Sequence, residues 1–111
     1  MESEVRNYEL TYVIPGSFTD NEAAQVKTEI DVLLKKHKAE VVSTEDWGRR
    51  PLAYTIAREG KKHTEGLYTH LVLRMSADHA SPLDRDMFLS SKVIRHLLLV
   101  VESVETASEA K

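Results

Sequence analysis

An α+β sandwich of the ferredoxin-like kind, βαββαβ, is the fold this sequence predicts: a four-stranded antiparallel sheet with two helices on one face. Three observations point there. An alternating segment opens the chain, two segments of helical period each follow a strand pattern, and a pair of extended segments separates the two helices. Two split βαβ units with right-handed crossovers accommodate that order. The second face of the sheet then lacks helices and must meet solvent or a partner.

From Asn7 to Ile14 the side chains alternate, with Tyr8, Leu10, Tyr12 and Ile14 on one face and Asn7, Glu9, Thr11 and Val13 on the other. That period of two is a strand, and Pro15-Gly16 ends it. Thr19-Asp20-Asn21-Glu22 has the form of a capping box, in which hydroxyl and carboxylate satisfy free backbone donors reciprocally. Phe18 before it can staple the turn. Ala23, Val26, Ile30, Leu33, Leu34 and His37 follow at helical spacing, predicting an amphipathic helix over roughly Asp20 to His37.

Glu40 to Asp46 and Leu52 to Ile56 both look extended, with Gly48 and Pro51 interrupting what reads as one long, bent strand. Proline cannot donate to a ladder, so Pro51 belongs at an edge or a bulge. Arg58 to Gly66 reads as a polar connection and hairpin tip. Leu67 to Met75 is a third strand, placing Leu67, Thr69, Leu71, Leu73 and Met75 on one side. Ser81-Pro82-Leu83-Asp84 marks a second helix with Pro82 in its first turn, or starting earlier near Ser76 or Asp78. Leu83, Met87 and Phe88 form its expected buried stripe. Lys92 to Val101 is nearly continuous in apolar residues, which predicts a central strand. The domain is expected to span residues 1–102, with Ser103 to Lys111 as a flexible tail.

At 111 residues the chain is one domain that buries about two thirds of its extended surface. It has no cysteine, so disulfides, thiolate metal sites and a cysteine nucleophile are excluded. The acidic start Met1-Glu2-Ser3-Glu4 has no apolar segment after it, and the aliphatic run Leu97 to Val101 is far too short to span a bilayer. The expected setting is soluble and cytoplasmic, with no membrane partner.

Catalytic chemistry finds little support. His37, His63, His70, His79 and His96 show no HExxH or HxH spacing, so they read as solvent or strand-face histidines, and no metal is expected. His37, near a helix end, can favour the macrodipole. There is no GxSxG elbow, and none of the four glycines stands in a GxGxxG or Walker pattern. Asp84 and Asp86 resemble a solvated helix face. No cofactor and no small-molecule substrate are called for.

Charge is more telling. The chain carries −3 overall, yet Trp47 to His63 holds five basic side chains and one acid, leaving −7 for the remainder. Arginine binds phosphate bidentately and stacks on bases, so the adjacent Arg49 and Arg50 suit folded RNA, although by charge alone a solvated hairpin is the simpler reading. Arg58, Lys61 and Lys62 extend the strip along the hairpin. Arg6 and Arg95 are supporting candidates, and Tyr8 is placed on the same surface. Trp47 and Tyr54 read as core anchors. The third strand offers Tyr68 and His70 on one face but lacks the paired aromatics by which an RRM stacks bases.

Three segments together resemble one family. Glu45-Asp46-Trp47-Gly48-Arg49-Arg50 with Leu52-Ala53-Tyr54 and Ile56, Asn7-Tyr8-Glu9 at the start, and Lys92 to Val100 at the end are similar to the sixth protein of the bacterial small ribosomal subunit. The resemblance runs from Arg6 to about Glu102 in one register. It departs at Pro51, where a polar or charged residue is common, at Thr55, where proline is frequent, and at His96, where tyrosine is common. It implies the same fold, no enzymatic activity, no cofactor and a ribosome-associated life. It further implies binding to the central domain of small-subunit ribosomal RNA (16S-type) alongside ribosomal protein S eighteen. Acidic surface would face that strongly basic partner. Two other classes stay open: an enzyme or metabolite sensor, which needs a pocket of convergent polar groups, and an RNA-independent protein-interaction module using the open sheet face or an edge strand.

Overall fold

The structure, a computed structural model, describes residues 4–58 and 60–101, with Arg58 described by its backbone. Strand β1 (Val5–Pro15) leads to helix α1 (Asp20–Lys36), then β2 (Glu40–Arg58) and β3 (Lys61–Ser76). A 3-10 turn (Ala77–His79), helix α2 (Ala80–Leu89) and β4 (Arg95–Val101) complete the order. The strands lie as β2-β3-β1-β4, and every neighbouring pair is antiparallel. This is the expected ferredoxin-like βαββαβ sandwich.

The alternation of β1 decides which face is covered. Tyr8, Leu10, Tyr12 and Ile14 join Val26, Ile30 and Leu34 of α1, Leu71, Leu73 and Met75 of β3, and Leu83 and Met87 of α2 in one core cluster. Both helices therefore pack on one face, and each fully buried aliphatic side chain contributes about 1.5–3 kcal/mol. Helix α1 begins on the predicted capping box: the Glu22 N–H donates to Thr19 Oγ1 at 3.1 Å and the Thr19 N–H to Glu22 Oε1 at 2.8 Å. Burial pushes the Tyr12 phenol above its ordinary value, opposed by a hydrogen bond with Thr69.

Several expectations need correction. β4 is an edge strand paired with β1 alone, not a central one. Its apolar run reflects two surfaces: Leu98 packs against the core, while Leu97 and Leu99 stand 55% and 49% exposed on the helix-free face. Phe88 leaves the buried stripe of α2 and is 64% exposed. Arg58 to Gly66 is no loose connection, since β2 and β3 pair to their ends at Arg58↔Lys61, closing through Gly60 at φ 80°. Helix α2 starts at Ala80, between the expected starts, directly after the 3-10 turn that Ser76 caps, and Pro82 lies in its first turn.

His37 is not a solvent-facing histidine. It caps α1 and is buried, and its Nε2–H donates to Asp86 Oδ2 at 2.7 Å. Lys36 Nζ reaches the same oxygen at 3.2 Å, and His79 Nδ1 lies 3.4 Å from His37 Nδ1. Asp86 is thus part of a polar node joining the two helices rather than a solvated face. The expected tail, Ser103 to Lys111, lies outside the described residues.

Candidate nucleic-acid interface

The hairpin of β2 and β3 outruns the rest of the sheet. Pairing of β1 with β3 ends at Pro15↔Gly66, whereas β2 and β3 continue beyond it to their tip. Three register shifts bend β2, and across the largest, between Pro51 and Ile56, residues Leu52 to Thr55 stand against Thr64 alone. A bulge of this kind sharpens the bend and twist. Proline is tolerated there because β2 is an edge strand with no outer neighbour. Gly48, at φ 79°, supplies the left-handed conformation at the preceding shift.

The bend folds the hairpin over the helix-free face. Tyr54 of β2 meets Arg95 of β4, its ring centroid 5.7 Å from the guanidinium carbon, although these strands are opposite edges of the sheet. Val13 lies on the helix-free face of β1, yet it is only 3% exposed. Gly66 explains how: a Cβ there would overlap Val13 Cγ1 and touch Leu52 Cδ2 at 3.4 Å, so the absence of a side chain lets Leu52 close over Val13.

The two adjacent arginines part company. Arg50 pairs with Gly66 on the helix-free side, where its Nε–H donates to the Trp47 carbonyl at 3.2 Å and its guanidinium lies 5.7 Å from the indole centroid. Arg49 pairs with Leu67 on the helix side, and its Nε–H donates to the Gly16 carbonyl at 2.9 Å. One arginine is placed on the open face; the other ties β2 to the turn before α1. Strand alternation imposes this on any adjacent pair.

Trp47 and Tyr54 are not core anchors. Trp47 is 37% exposed and stacks on His70, centroids 5.0 Å apart with planes 8° from parallel, while its Nε1–H donates to Glu45 at 2.9 Å. Tyr54 is 65% exposed. Alternation puts both rings on the helix-free face, Trp47 two residues after Glu45, which pairs with His70, and Tyr54 four after Arg50, which pairs with Gly66. The sequence showed that these positions share a face, but not that this face carries no helix.

The sheet registers order this face into rows. Val13, Tyr68 and Arg95 form one row, Thr11, His70 and Leu97 the next, then Glu9, Val72 and Leu99, and finally Asn7, Arg74 and Val101. Thr11 Oγ1 and His70 Nδ1 are hydrogen-bonded at 2.9 Å. Positive charge from Arg50 and Arg95 gathers at the hairpin end. At the far end stand Glu9 and the Arg74–Glu40 pair, 3.9 Å apart.

The other candidates scatter. Tyr8 is 5% exposed within the core, so it cannot line this surface. Arg6 shares the core-facing register of Met75, pairs with Glu4 at 3.2 Å, and lies seven residues, about 23 Å, along β1 from the Arg95 row. Lys61 and Lys62 are exposed at the hairpin tip, where Lys61 lines a cleft with Pro15, Phe18, His63 and Lys92. The Arg58 side chain lies outside the described part. Among the described residues no group of three His, Asp or Glu side chains is placed to hold a metal, and no helix is long and apolar enough to cross a membrane.

Comparison with known proteins adds the family. The family model Ribosomal protein S6 matches residues 7–99. The small ribosomal subunit protein bS6 of Clostridioides difficile is 30% identical over 96 residues, covering 86% of this chain and 99% of that protein. The bS6 of Limosilactobacillus reuteri is 30% identical over 101 residues, covering 90% and 99%. The crystal structure of 30S ribosomal protein S6 from Thermotoga maritima shares the fold, with a TM-score of 0.81, 21% identity, and coverage of 96% of this chain and 97% of that one. The matched residues run through both helices and all four strands, including the bent hairpin and the edge strand β4, and by them this chain belongs to the ribosomal protein S6 family.

Proposed function

We propose that this chain binds small-subunit ribosomal RNA of the 16S type together with ribosomal protein S eighteen, supporting assembly of the central domain. Its family makes it a structural component of the small ribosomal subunit, not an enzyme, working in translation on the cytoplasmic ribosome. The observation that carries the RNA reading is the hairpin end of the open face, where Arg50 and Arg95 stand beside the exposed rings of Trp47 and Tyr54. Guanidinium groups match phosphate geometry, and rings next to them accept bases or riboses. Lys61 and Lys62 prolong the positive surface to the tip, Arg58 belongs to the same hairpin, and Arg49 borders it from the helix side. Arg6, at the far end, is a separate supporting contact.

The far end of the same face suits the protein partner. Leu97, Leu99 and Val72 make an apolar patch beside the carboxylate of Glu9, which favours a basic protein over RNA there. Filter binding of a central-domain transcript with S eighteen present, across a series of salt concentrations, tests the RNA half. Each phosphate contact contributes about −0.7 to −0.9 to the log–log salt slope. Arg50→Glu with Arg95→Glu should weaken binding and make the slope shallower by roughly 1.4 to 1.8. Unchanged affinity and slope would refute the assignment.

A further inference from the structure

We infer that the Tyr54 ring is a platform on which one unpaired RNA base stacks, with the Arg95 guanidinium fixing the ring and standing ready for the neighbouring phosphate; this rests on the RNA-binding reading above. Four observations converge on it.

First, Tyr54 serves no core. Tyr8 and Tyr12 fill the interior at 5% and 3% exposure, whereas Tyr54 is 65% exposed. Second, Trp47 and His70 on this face are engaged with each other, and Tyr68 is only partly exposed. His70, at the β3 register that an RRM-like reader would use, is covered by Trp47 at 5.0 Å. The Arg50 guanidinium lies over that same indole. Tyr54 is the most exposed ring on the face among the described residues.

Third, Arg95 sits 5.7 Å from the Tyr54 centroid, within cation–π range. The contact bridges opposite edges of the sheet, so it restrains the bent hairpin as well as the ring. A ring held before binding loses less freedom when a base arrives. It also puts a positive charge next to a π surface, the pairing that accommodates both halves of a nucleotide. Fourth, the segment Leu52 to Thr55 is bulged, so Tyr54 is presented where no ladder partner crowds it. Arg50 and Arg95 leave the surrounding hairpin end net positive beside the Glu45 carboxylate, which accepts from the Trp47 indole. That favours RNA here over the basic protein suited to the acidic, apolar far end.

The test uses the full chain, S eighteen and a central-domain transcript of small-subunit ribosomal RNA, with affinity measured over a salt series. Tyr54→Leu should weaken binding about five- to a hundredfold, the range set by loss of one stacked base. Its salt slope should stay that of the wild type, because no charge is removed, whereas Arg50→Glu flattens the slope. Tyr54→Phe should bind within about threefold of wild type, and zero-length ultraviolet cross-linking should attach a nucleotide to the peptide containing Tyr54. Melting midpoints of all variants should coincide, since the ring is outside the core. Wild-type affinity for Tyr54→Leu alongside weakened Arg50→Glu would overturn the platform and leave the RNA reading standing. Loss of S eighteen binding by Tyr54→Leu without RNA would also overturn it, assigning the ring to a protein contact. Failure of the wild type to bind the transcript would remove both.

Discussion

Asp86→Ala should destabilise the fold by about 2 kcal/mol, far beyond the effect of an ordinary helix-surface substitution. The magnitude follows from what the carboxylate holds. His37 Nε2–H donates to it at 2.7 Å from a side chain only 6% exposed, so removing the acceptor leaves a buried donor unsatisfied. Such a loss costs about 1–3 kcal/mol. Lys36, also bonded to Asp86, has a side chain 62% exposed, and its ion pair adds little. At roughly 4 °C per kcal/mol for a domain of this size, the melting midpoint should drop by roughly 8 °C. Asp86→Asn keeps an acceptor for His37 and should cost less.

The pH dependence has a definite sign. The hydrogen bond from His37, and after it Lys36, holds the Asp86 carboxyl below its ordinary value, with desolvation opposing. A carboxyl depressed in the folded state contributes stability that is complete above its unfolded value, near ~3.9, and is lost as pH falls through the folded one. The wild-type advantage over Asp86→Ala should therefore be present at neutral pH and shrink below about pH 4. Urea denaturation at neutral pH and in a series below pH 4 measures both. A variant within about 0.5 kcal/mol of wild type at pH 7, where surface substitutions usually fall, would refute the reasoning. So would an advantage that grows in acid.

Two further outcomes can be checked with similar tools. Gly66→Ala drives a methyl group into Val13 where Leu52 closes over the sheet, and should cost about 1–3 kcal/mol by urea denaturation; a neutral result would mean the hairpin does not fold against β1. Leu97→Glu with Leu99→Glu, both half-exposed on β4, should weaken binding to S eighteen at least tenfold by calorimetry while leaving stability within about 0.5 kcal/mol, and unchanged affinity would move the protein interface elsewhere.

Local physics made much of this fold readable in advance. The alternation of β1, the Thr19–Glu22 box and the helical spacing of Val26, Ile30 and Leu34 each follow from neighbours a few residues apart. What sequence could not resolve depends on long-range geometry. A strand apolar on both sides reads as central, yet β4 is an edge whose outer leucines remain exposed. His37 and Asp86 are 49 positions apart, so nothing in either segment announces their hydrogen bond. In the candidate site, the charge of the hairpin was plain, but the placement of each arginine was not. Arg49 and Arg50 diverge because strand neighbours point apart, and Arg95 joins Arg50 because the bulge carries the hairpin across the sheet. Trp47 and Tyr54 follow the alternation of β2 onto the helix-free face, which no helix covers, so rings that read as core anchors stand exposed. Tyr8 faces the same way as Arg6, two residues earlier on β1, but under the helices, where it is buried rather than available to RNA.

Incorporation into small ribosomal subunits gives the sharpest test of the hairpin end as the RNA contact. Cells expressing tagged wild type, or tagged Arg50→Glu with Arg95→Glu, would be lysed at low and high salt and their subunits separated by sedimentation. Wild type should sediment with the small subunit at low salt, while the double variant, folded to the same melting midpoint, should remain largely in the unbound fractions. Equal incorporation of the two proteins at both salt concentrations would contradict it.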